Sequence, residues 1–192
     1  MRRQVALTFD DGPGDATPAV LDALAALQLP ATFFVIGQQV PERAAVLRRM
    51  VEAGHAVGVH AWEHPDLGAE PKRAPDEIDR CLAAVRDAAG IAPDLFRPPF
   101  GSYTPAVLEH ADARGLRTIL WDVNPHDHAG GDATAESITA DVLGAMRRGS
   151  IVVLHDGGPL DSRARVLDAL PRIADGLRER RLEAVTVPDL IA

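Results

Sequence analysis

The segment Val5-Ala-Leu-Thr-Phe-Asp-Asp-Gly-Pro13 passes from an apolar run directly into two carboxylates and a turn. Short apolar runs of this kind recur along the chain, each followed by a longer amphipathic stretch. Repeated strand–helix units of this type build a parallel sheet covered by helices. The pattern predicts an α/β fold of about seven such units.

The apolar runs and the capping residues set the predicted element boundaries. Thr17 and Thr104 each precede a proline, which indicates a helix N-cap followed by the first helical residue. Gly54 and Gly149 are interpreted as C-caps. Strands are predicted at Val5–Phe9, Ala31–Ile36, Ala56–Val59, Leu95–Phe96, Thr118–Trp121, Ile151–Leu154 and Ala184–Val187. Helices are predicted at Pro18–Leu27, Pro41–Ala53, Pro75–Ala89, Ala106–Arg114, Ala135–Arg148 and Ser162–Arg180.

Length and charge bound the class of protein. The chain has 192 residues, with 20 basic and 28 acidic side chains and a net charge of −8. At roughly 150 residues per domain, the length indicates one domain over residues 1–192. The acidic balance excludes the basic surface of a nucleic-acid-binding protein, so no nucleic acid partner is expected. No apolar stretch approaches the ~20 residues of a membrane span, and we expect a monomer.

The first residues and the cysteine content bear on the compartment. Met1-Arg-Arg-Gln4 leads directly into the first predicted strand, and not into an apolar signal segment. We therefore expect either a cytoplasmic protein or a secreted one whose signal has been removed. Cys81 is the single cysteine. It lies in a predicted helix and is interpreted as a buried hydrophobe, so no disulfide forms within the chain.

Polar segments whose side chains could take part in catalysis or metal binding directly follow the predicted strands. In a parallel α/β barrel the carboxyl ends of all strands open on one face, where catalytic residues gather. We therefore expect these segments to meet at one site. They are 10–13, 60–64, 97–101, 124–128 and 155–156.

A metal site is the first prediction for that face. His60 and His64 have the spacing that brings two imidazoles onto one face of a helical turn. Two imidazoles and a carboxylate are a common ligand set for catalytic zinc, with a fourth position open to water. Asp10 or Asp11 can supply the carboxylate, which leaves its neighbour free to face the water. Because the same set also holds iron in non-haem oxygenases, the ligands alone choose neither the metal nor the reaction.

Four motifs in this order resemble the polysaccharide deacetylase family, carbohydrate esterase family 4, whose catalytic unit is the NodB homology domain. The resemblance covers residues 5–155. It implies a distorted, incomplete (β/α) barrel, similar to a TIM barrel, that removes acetyl groups from chitin oligomers, peptidoglycan or xylan with the help of a divalent metal. The motifs are Thr8-Phe-Asp-Asp-Gly-Pro13, His60-Ala-Trp-Glu-His-Pro65, Arg97-Pro-Pro-Phe-Gly101 and Leu154-His-Asp156.

The resemblance also implies roles for individual residues. It assigns Asp10 as the general base and His155 as the general acid. It assigns Arg97 to orient the base, held in turn by Asp127, and the backbone N–H of Phe100 to bind the oxyanion. The implied metal ligands are Asp11, His60 and His64, with zinc expected and cobalt as a substitute.

Two positions depart from the family pattern around the acetyl group. His128 stands where the family usually has Trp, and Val153 stands where it usually has Leu. We therefore expect a larger and more polar acyl pocket. His126 is interpreted as a surface loop residue, Trp62 as a surface on which sugars can stack, and Trp121 as a packing residue.

The leading hypothesis is a zinc-dependent deacetylase that hydrolyses N-acetyl groups of N-acetylglucosamine units in chitin oligomers or peptidoglycan. An O-acetyl xylan esterase is the nearest alternative, since ester and amide cleavage can share one mechanism. A catalytically silent carbohydrate-binding module on the same fold is disfavoured because base, ligands, arginine and acid are all present. A metal-independent amidohydrolase of nitrogen heterocycles is disfavoured by the histidine pair.

Overall fold

Short apolar runs form buried parallel strands in the computed structural model, which describes residues 3–128 and 133–192. Met1 and Arg2, which precede the first predicted strand, and residues 129–132 lie outside the described part. The strands are β1 (Gln4–Asp10), β2 (Thr32–Val35), β3 (Ala56–Val59), β4 (Leu95–Phe96), β5 (Arg117–Thr118), β6 (Ile151–His155) and β7 (Glu183–Val185). The helices are α1 (Thr17–Leu27), α2 (Ala44–Glu52), α3 (Ala74–Ala89), α4 (Pro105–Ala113), α5 (Ala135–Ala145), α6 (Leu160–Glu179) and α7 (Val187–Leu190).

The strands form one curled sheet in the order β5-β4-β3-β2-β1-β6, with β7 paired to the start of β1. All the pairings are parallel. Within the described part of the chain, one bridge joins the two edges of the curl, between Val123, beyond the end of β5, and Val152 of β6. The predicted distorted and incomplete (β/α) barrel is thereby confirmed.

The predicted strand Thr118–Trp121 is too long at its carboxyl end. β5 stops at Thr118, and the carbonyls of Ile119 and Leu120 accept hydrogen bonds from the side chain of Arg97. The side chain of Arg97 therefore binds the segment that follows β5.

Two capping predictions need correction, and the position of a third is confirmed. Thr17 lies inside α1, whose N-cap is Ala16, because its hydroxyl accepts the Gly14 N–H and donates to Asp156. Thr104 does occupy the N-cap of α4, but its side chain makes no capping bond. α5 ends at Ala145 with Met146 as its C-cap, so Gly149 serves the turn into β6, with φ 82°. The four-residue helix α7 was not predicted.

The membrane prediction can be compared with the helices directly. Over residues 3–128 and 133–192, no helix is both long enough and apolar enough to cross a bilayer. Cys81 is buried and unpaired, as expected.

Gly58 in β3 lets two core side chains approach the backbone. A Cβ at this position would lie 2.7 Å from the Phe34 ring and 3.0 Å from Cβ of Leu95. The same Phe34 ring lies under the guanidinium of Arg97, with Cζ 4.1 Å from the ring centroid. The absence of a side chain at Gly58 thus helps to position Arg97 at the open end of the barrel.

We expect Gly58→Ala and Gly144→Ala to change stability in opposite directions. Gly58→Ala overpacks a buried strand and should lower the free energy of unfolding by about 1–3 kcal/mol. Gly144 is an exposed α5 residue whose Cβ would meet no described atom within 4 Å, so Gly144→Ala should raise it by about 0.5–1 kcal/mol. Urea unfolding of both variants measures the difference, and a Gly58→Ala protein as stable as the wild type would contradict the packing described.

Candidate active site

The polar segments that follow the strands converge on one cavity of about 260 Å³ at the carboxyl end of the sheet. β1 ends with Asp10 and is followed by Asp11, the turn after β3 contributes two histidines, and β6 contributes His155. The cavity is lined by Asp10, Asp11, His60, His64, Phe100, Trp121, Asn124, His128, Val153 and His155. The structure therefore brings together nearly all of the site residues expected from the sequence; Arg97 and Asp127 lie behind this lining.

Asp11, His60 and His64 form a group that could hold a metal ion. Oδ1 of Asp11 lies 3.6 Å from Nε2 of His60 and 3.3 Å from Nε2 of His64. These separations match the ~3.3–3.6 Å edges of a tetrahedral site whose bonds to zinc are ~2.0–2.2 Å. Oδ1 of Asp11 is buried and has no hydrogen-bond partner among the described residues. A cation fits this donor set because it would satisfy that oxygen.

His60 is oriented and kept neutral by its surroundings. Its Nδ1 lies 2.7 Å from the carbonyl oxygen of Arg97, so the Nδ1 proton is held there and Nε2 is free as a ligand. Burial lowers the pKa of His60 to about 3. A neutral imidazole is the form that binds a metal.

The turns that carry Asp11, His60 and His64 have a strained backbone that buried groups support. Asp11, Ala61 and His64 have positive φ of 73°, 67° and 75°, a conformation costly for residues with a side chain and common at functional sites. The buried carboxylate of Glu77 accepts the backbone N–H groups of Trp62 and Glu63, each at 2.8 Å. The sequence analysis did not identify Glu77, because it lies on helix α3 and its sequence context does not distinguish it from acidic residues on the helix surface.

Asp10 is paired with a fully buried arginine. Nη1 of Arg97 donates to Oδ1 of Asp10 at 2.7 Å and to the Thr8 hydroxyl at 2.7 Å. Oδ2 of Asp10 faces the three possible metal ligands and lies 3.8 Å from Nε2 of His60. Burial raises the pKa of Asp10, and the charge of Arg97 opposes this without cancelling it. The expected pairing of Arg97 with Asp10 is present.

The expected link between Arg97 and Asp127 is wrong. Oδ2 of Asp127 accepts the backbone N–H of His155, and Oδ1 lies 2.8 Å from Nδ1 of the same residue. The bridge from Val123 to β6 carries this loop over the end of β6, next to His155. The remaining donors of Arg97 are used by the two carbonyls beyond β5. Asp127 therefore orients the expected acid, while the barrel itself holds the arginine.

The environment of His155 favours its protonated form. Burial lowers the pKa of His155, but the hydrogen bond and charge of Asp127, together with Asp10 and Asp11, raise it by more. The net pKa lies above the usual value for histidine. A protonated imidazole at the mouth of the cavity can donate a proton to a leaving group.

Asp156, which the sequence analysis placed in the last motif without giving it a role, is also a buried acid. Its Oδ2 accepts a hydrogen bond from Thr17 at 2.5 Å, and its backbone N–H donates to the Asp10 carbonyl at 3.1 Å. Any side chain at Gly12 would strike this carboxyl group, because a Cβ would lie 2.3 Å from Oδ2. Burial raises the pKa of Asp156 to about 7. Asp156 thus fixes the turn that carries the adjacent carboxylates.

The wall of the cavity differs in part from the sequence-based expectation. Val153 and His128 line it, as the family pattern implied, but so does Trp121, for which packing was favoured over a sugar-stacking role. The Phe100 ring is 66% exposed and lies edge-on to His64, 4.5 Å between centroids. Trp62 lies in a different groove, where Arg80 stacks on its ring, so it offers no stacking surface inside the cavity. His126 is exposed, as expected.

Known proteins are similar to this chain in both sequence and fold. The sequence profile of the family described as polysaccharide deacetylase matches residues 1–119. A chitooligosaccharide deacetylase from Bradyrhizobium sp. (strain ANU 289) is 40% identical over 200 residues, covering 98% of this chain and 90% of the relative.

Solved structures support the same family match. The Bc1960 peptidoglycan N-acetylglucosamine deacetylase has a TM-score of 0.92 at 31% identity, covering 98% of this chain and 88% of the other. A family 4 acetyl xylan esterase from Clostridium thermocellum, solved with a cobalt ion, has a TM-score of 0.89 at 35% identity, covering 98% and 90%. Profile, relatives and fold all lead to one conclusion: the chain belongs to the polysaccharide deacetylase family, carbohydrate esterase family 4, and is a carbohydrate deacetylase.

Proposed function

We propose that this protein hydrolyses the N-acetyl groups of N-acetylglucosamine units in chitin oligomers or peptidoglycan. The main observation in support of the proposal is that two adjacent aspartates have different partners. Asp10 is bound by Arg97, whereas Asp11 faces His60 and His64. One acid can therefore bind a metal while its neighbour takes a proton.

Asp11, His60 and His64 would hold the divalent metal on which the family depends. Zinc is the proposed ion because two imidazoles and a carboxylate suit it, and cobalt is the proposed substitute. When bound, such an ion acts as a Lewis acid toward the acetyl carbonyl and makes a nearby water more acidic.

Asp10 is the proposed general base. Its Oδ1 is committed to Arg97, so Oδ2 is the oxygen available to take the proton of the attacking water. A raised pKa makes this carboxylate a stronger base than an exposed aspartate. Arg97 keeps the carboxylate oriented and cannot itself lose its proton.

His155 is the proposed general acid, and it favours an amide over an ester as substrate. An amine cannot leave as its anion, so amide cleavage requires proton delivery to the departing sugar nitrogen. Asp127 holds Nδ1 of His155 and raises its pKa against the effect of burial. A supported acid of this kind is needed more for an amine than for the less basic alkoxide of an acetyl ester.

The rest of the cavity would bind the acetyl group. Phe100 has φ 60° at the cavity rim, and its backbone N–H is the proposed donor to the developing oxyanion. Trp121, Val153 and His128 would surround the acetyl methyl. The acetyl xylan esterase relative keeps ester hydrolysis as the second candidate, and the complete set of acid, base and metal group argues against a silent binding module.

A substrate comparison tests the proposed function. We expect the zinc-loaded protein to release acetate from N-acetylglucosamine oligomers or peptidoglycan, with a higher kcat/KM than for acetylated xylan. Dialysis against a chelator should abolish the release, and zinc or cobalt should restore it. Acetate release from xylan alone would identify the esterase instead, and full activity in demonstrably metal-free protein would contradict the mechanism.

We expect Asp127→Asn to shift the pH dependence of the reaction. The acid must be protonated, so kcat/KM falls as the pH rises through the pKa of His155. Removal of the Asp127 charge lowers this pKa and should move the alkaline limb of the profile to lower pH. Asp122→Asn is the matched control, because this carboxylate bonds Ser150 and Ile151 and should leave the limb in place. An unshifted limb in Asp127→Asn would show that this pair does not set the pKa of the acid.

A further inference from the structure

A second group of one carboxylate and two imidazoles borders the same cavity. Asp127, His128 and His155 each offer a ligand atom, and these atoms lie within 4.8 Å of one another. The rings of His128 and His155 are 4.8 Å apart between centroids. Both histidines line the cavity with Asp11, His60 and His64. The ligand set typical of zinc therefore occurs twice around one cavity.

The second group depends on the residue at position 128. The resemblance implies tryptophan there, and an indole offers no lone pair to a metal. Asp127 and His155 alone form the carboxylate–histidine pair of the proposed acid. His128 adds a second imidazole and turns that pair into a possible chelating site.

We propose that Asp127, His128 and His155 form a second, weaker binding site for a divalent transition metal such as Zn²⁺. Nδ1 of His155 and Oδ1 of Asp127 lie only 2.8 Å apart, so both atoms can contact one ion when it replaces the proton between them. The fully buried carboxylate of Asp127 complements the charge of a cation, which must displace the proton that Asp127 shares with His155.

The two groups differ in how free their carboxylates are. Oδ1 of Asp11 has no hydrogen-bond partner among the described residues, so a metal there displaces nothing. Both oxygens of Asp127 accept hydrogen bonds from His155, and a metal at the second group must share or displace one of them. Metal therefore fills the Asp11 site first.

A metal ion in the second site would stop His155 from acting as the general acid. A metal on Nδ1 of His155 takes the place of the proton there, and the N–H of a metal-bound imidazole is a far weaker acid than that of an imidazolium, so His155 could not protonate the leaving nitrogen. Excess zinc should then inhibit a reaction that the first zinc supports. This consequence rests on the role proposed for His155, whereas the binding itself does not.

Zinc binding by equilibrium dialysis and elemental analysis tests the site without any substrate. The wild type should bind one zinc per chain at low free zinc and a second at higher concentrations. His128→Gln should keep the first and lose the second, and His64→Gln should lose the first and keep the second. His126→Gln is the matched control, because its exposed ring lies 6.3 Å from that of His128, and it should bind both.

Activity supplies a second readout for the same variants. The zinc concentration that half-inhibits acetate release should rise at least about tenfold in His128→Gln, since even an outer partner of a metal site changes affinity 10–100-fold. A wild type that saturates at one zinc, a His128→Gln protein that still binds two, or a His126→Gln protein that binds one would each overturn the proposal. A protein that binds two zinc ions but releases no acetate would refute the proposed function and leave the second site standing.

Discussion

The buried ion pair between Arg97 and Asp10 is the constraint on which the rest of the site depends. Arg97 is fully buried, and it hydrogen-bonds Asp10, Thr8 and the two carbonyls beyond β5. Loss of one partner from such a buried pair typically costs about 3–5 kcal/mol. The same side chain thus links β1 to the segment after β5 and orients the carboxylate of Asp10, so fold and chemistry share one interaction.

The pair explains how neighbouring aspartates acquire different environments. Asp10 ends β1 and points into the barrel, where Arg97 holds it. Asp11 adopts a positive φ of 73°, which turns its carboxylate toward the two histidines. Asp156 supports this turn through hydrogen bonds with the Thr17 hydroxyl and the Asp10 backbone carbonyl. Local strain is therefore maintained by buried hydrogen bonds on both sides of the cavity.

Local patterns predicted the α/β fold and a metal site at His60, His64 and one of two aspartates, whereas the incomplete barrel and the choice of Asp11 came from the family resemblance. Apolar runs marked the strands, and the polar residues at their ends had to meet at one face. The partner of Asp127 could not be predicted, since the Val123–Val152 bridge that carries its loop to His155 is a tertiary contact with no local signal. Glu77 was missed for the same reason, because it reaches the histidine turn from a separate helix. The inward placement of Trp121 followed from the early end of β5.

The central claim is that Arg97 reserves Asp10 for proton transfer and leaves Asp11 to bind the metal. The most direct measurement is the zinc content of Asp10→Asn and Asp11→Asn, taken together with their rates of acetate release. Asp10→Asn should retain the first zinc and lose roughly 10²–10⁴ in rate, the usual contribution of a general base. Asp11→Asn should lose that zinc. An Asp10→Asn protein without the first zinc, beside an Asp11→Asn protein that retains it, would contradict the assignment.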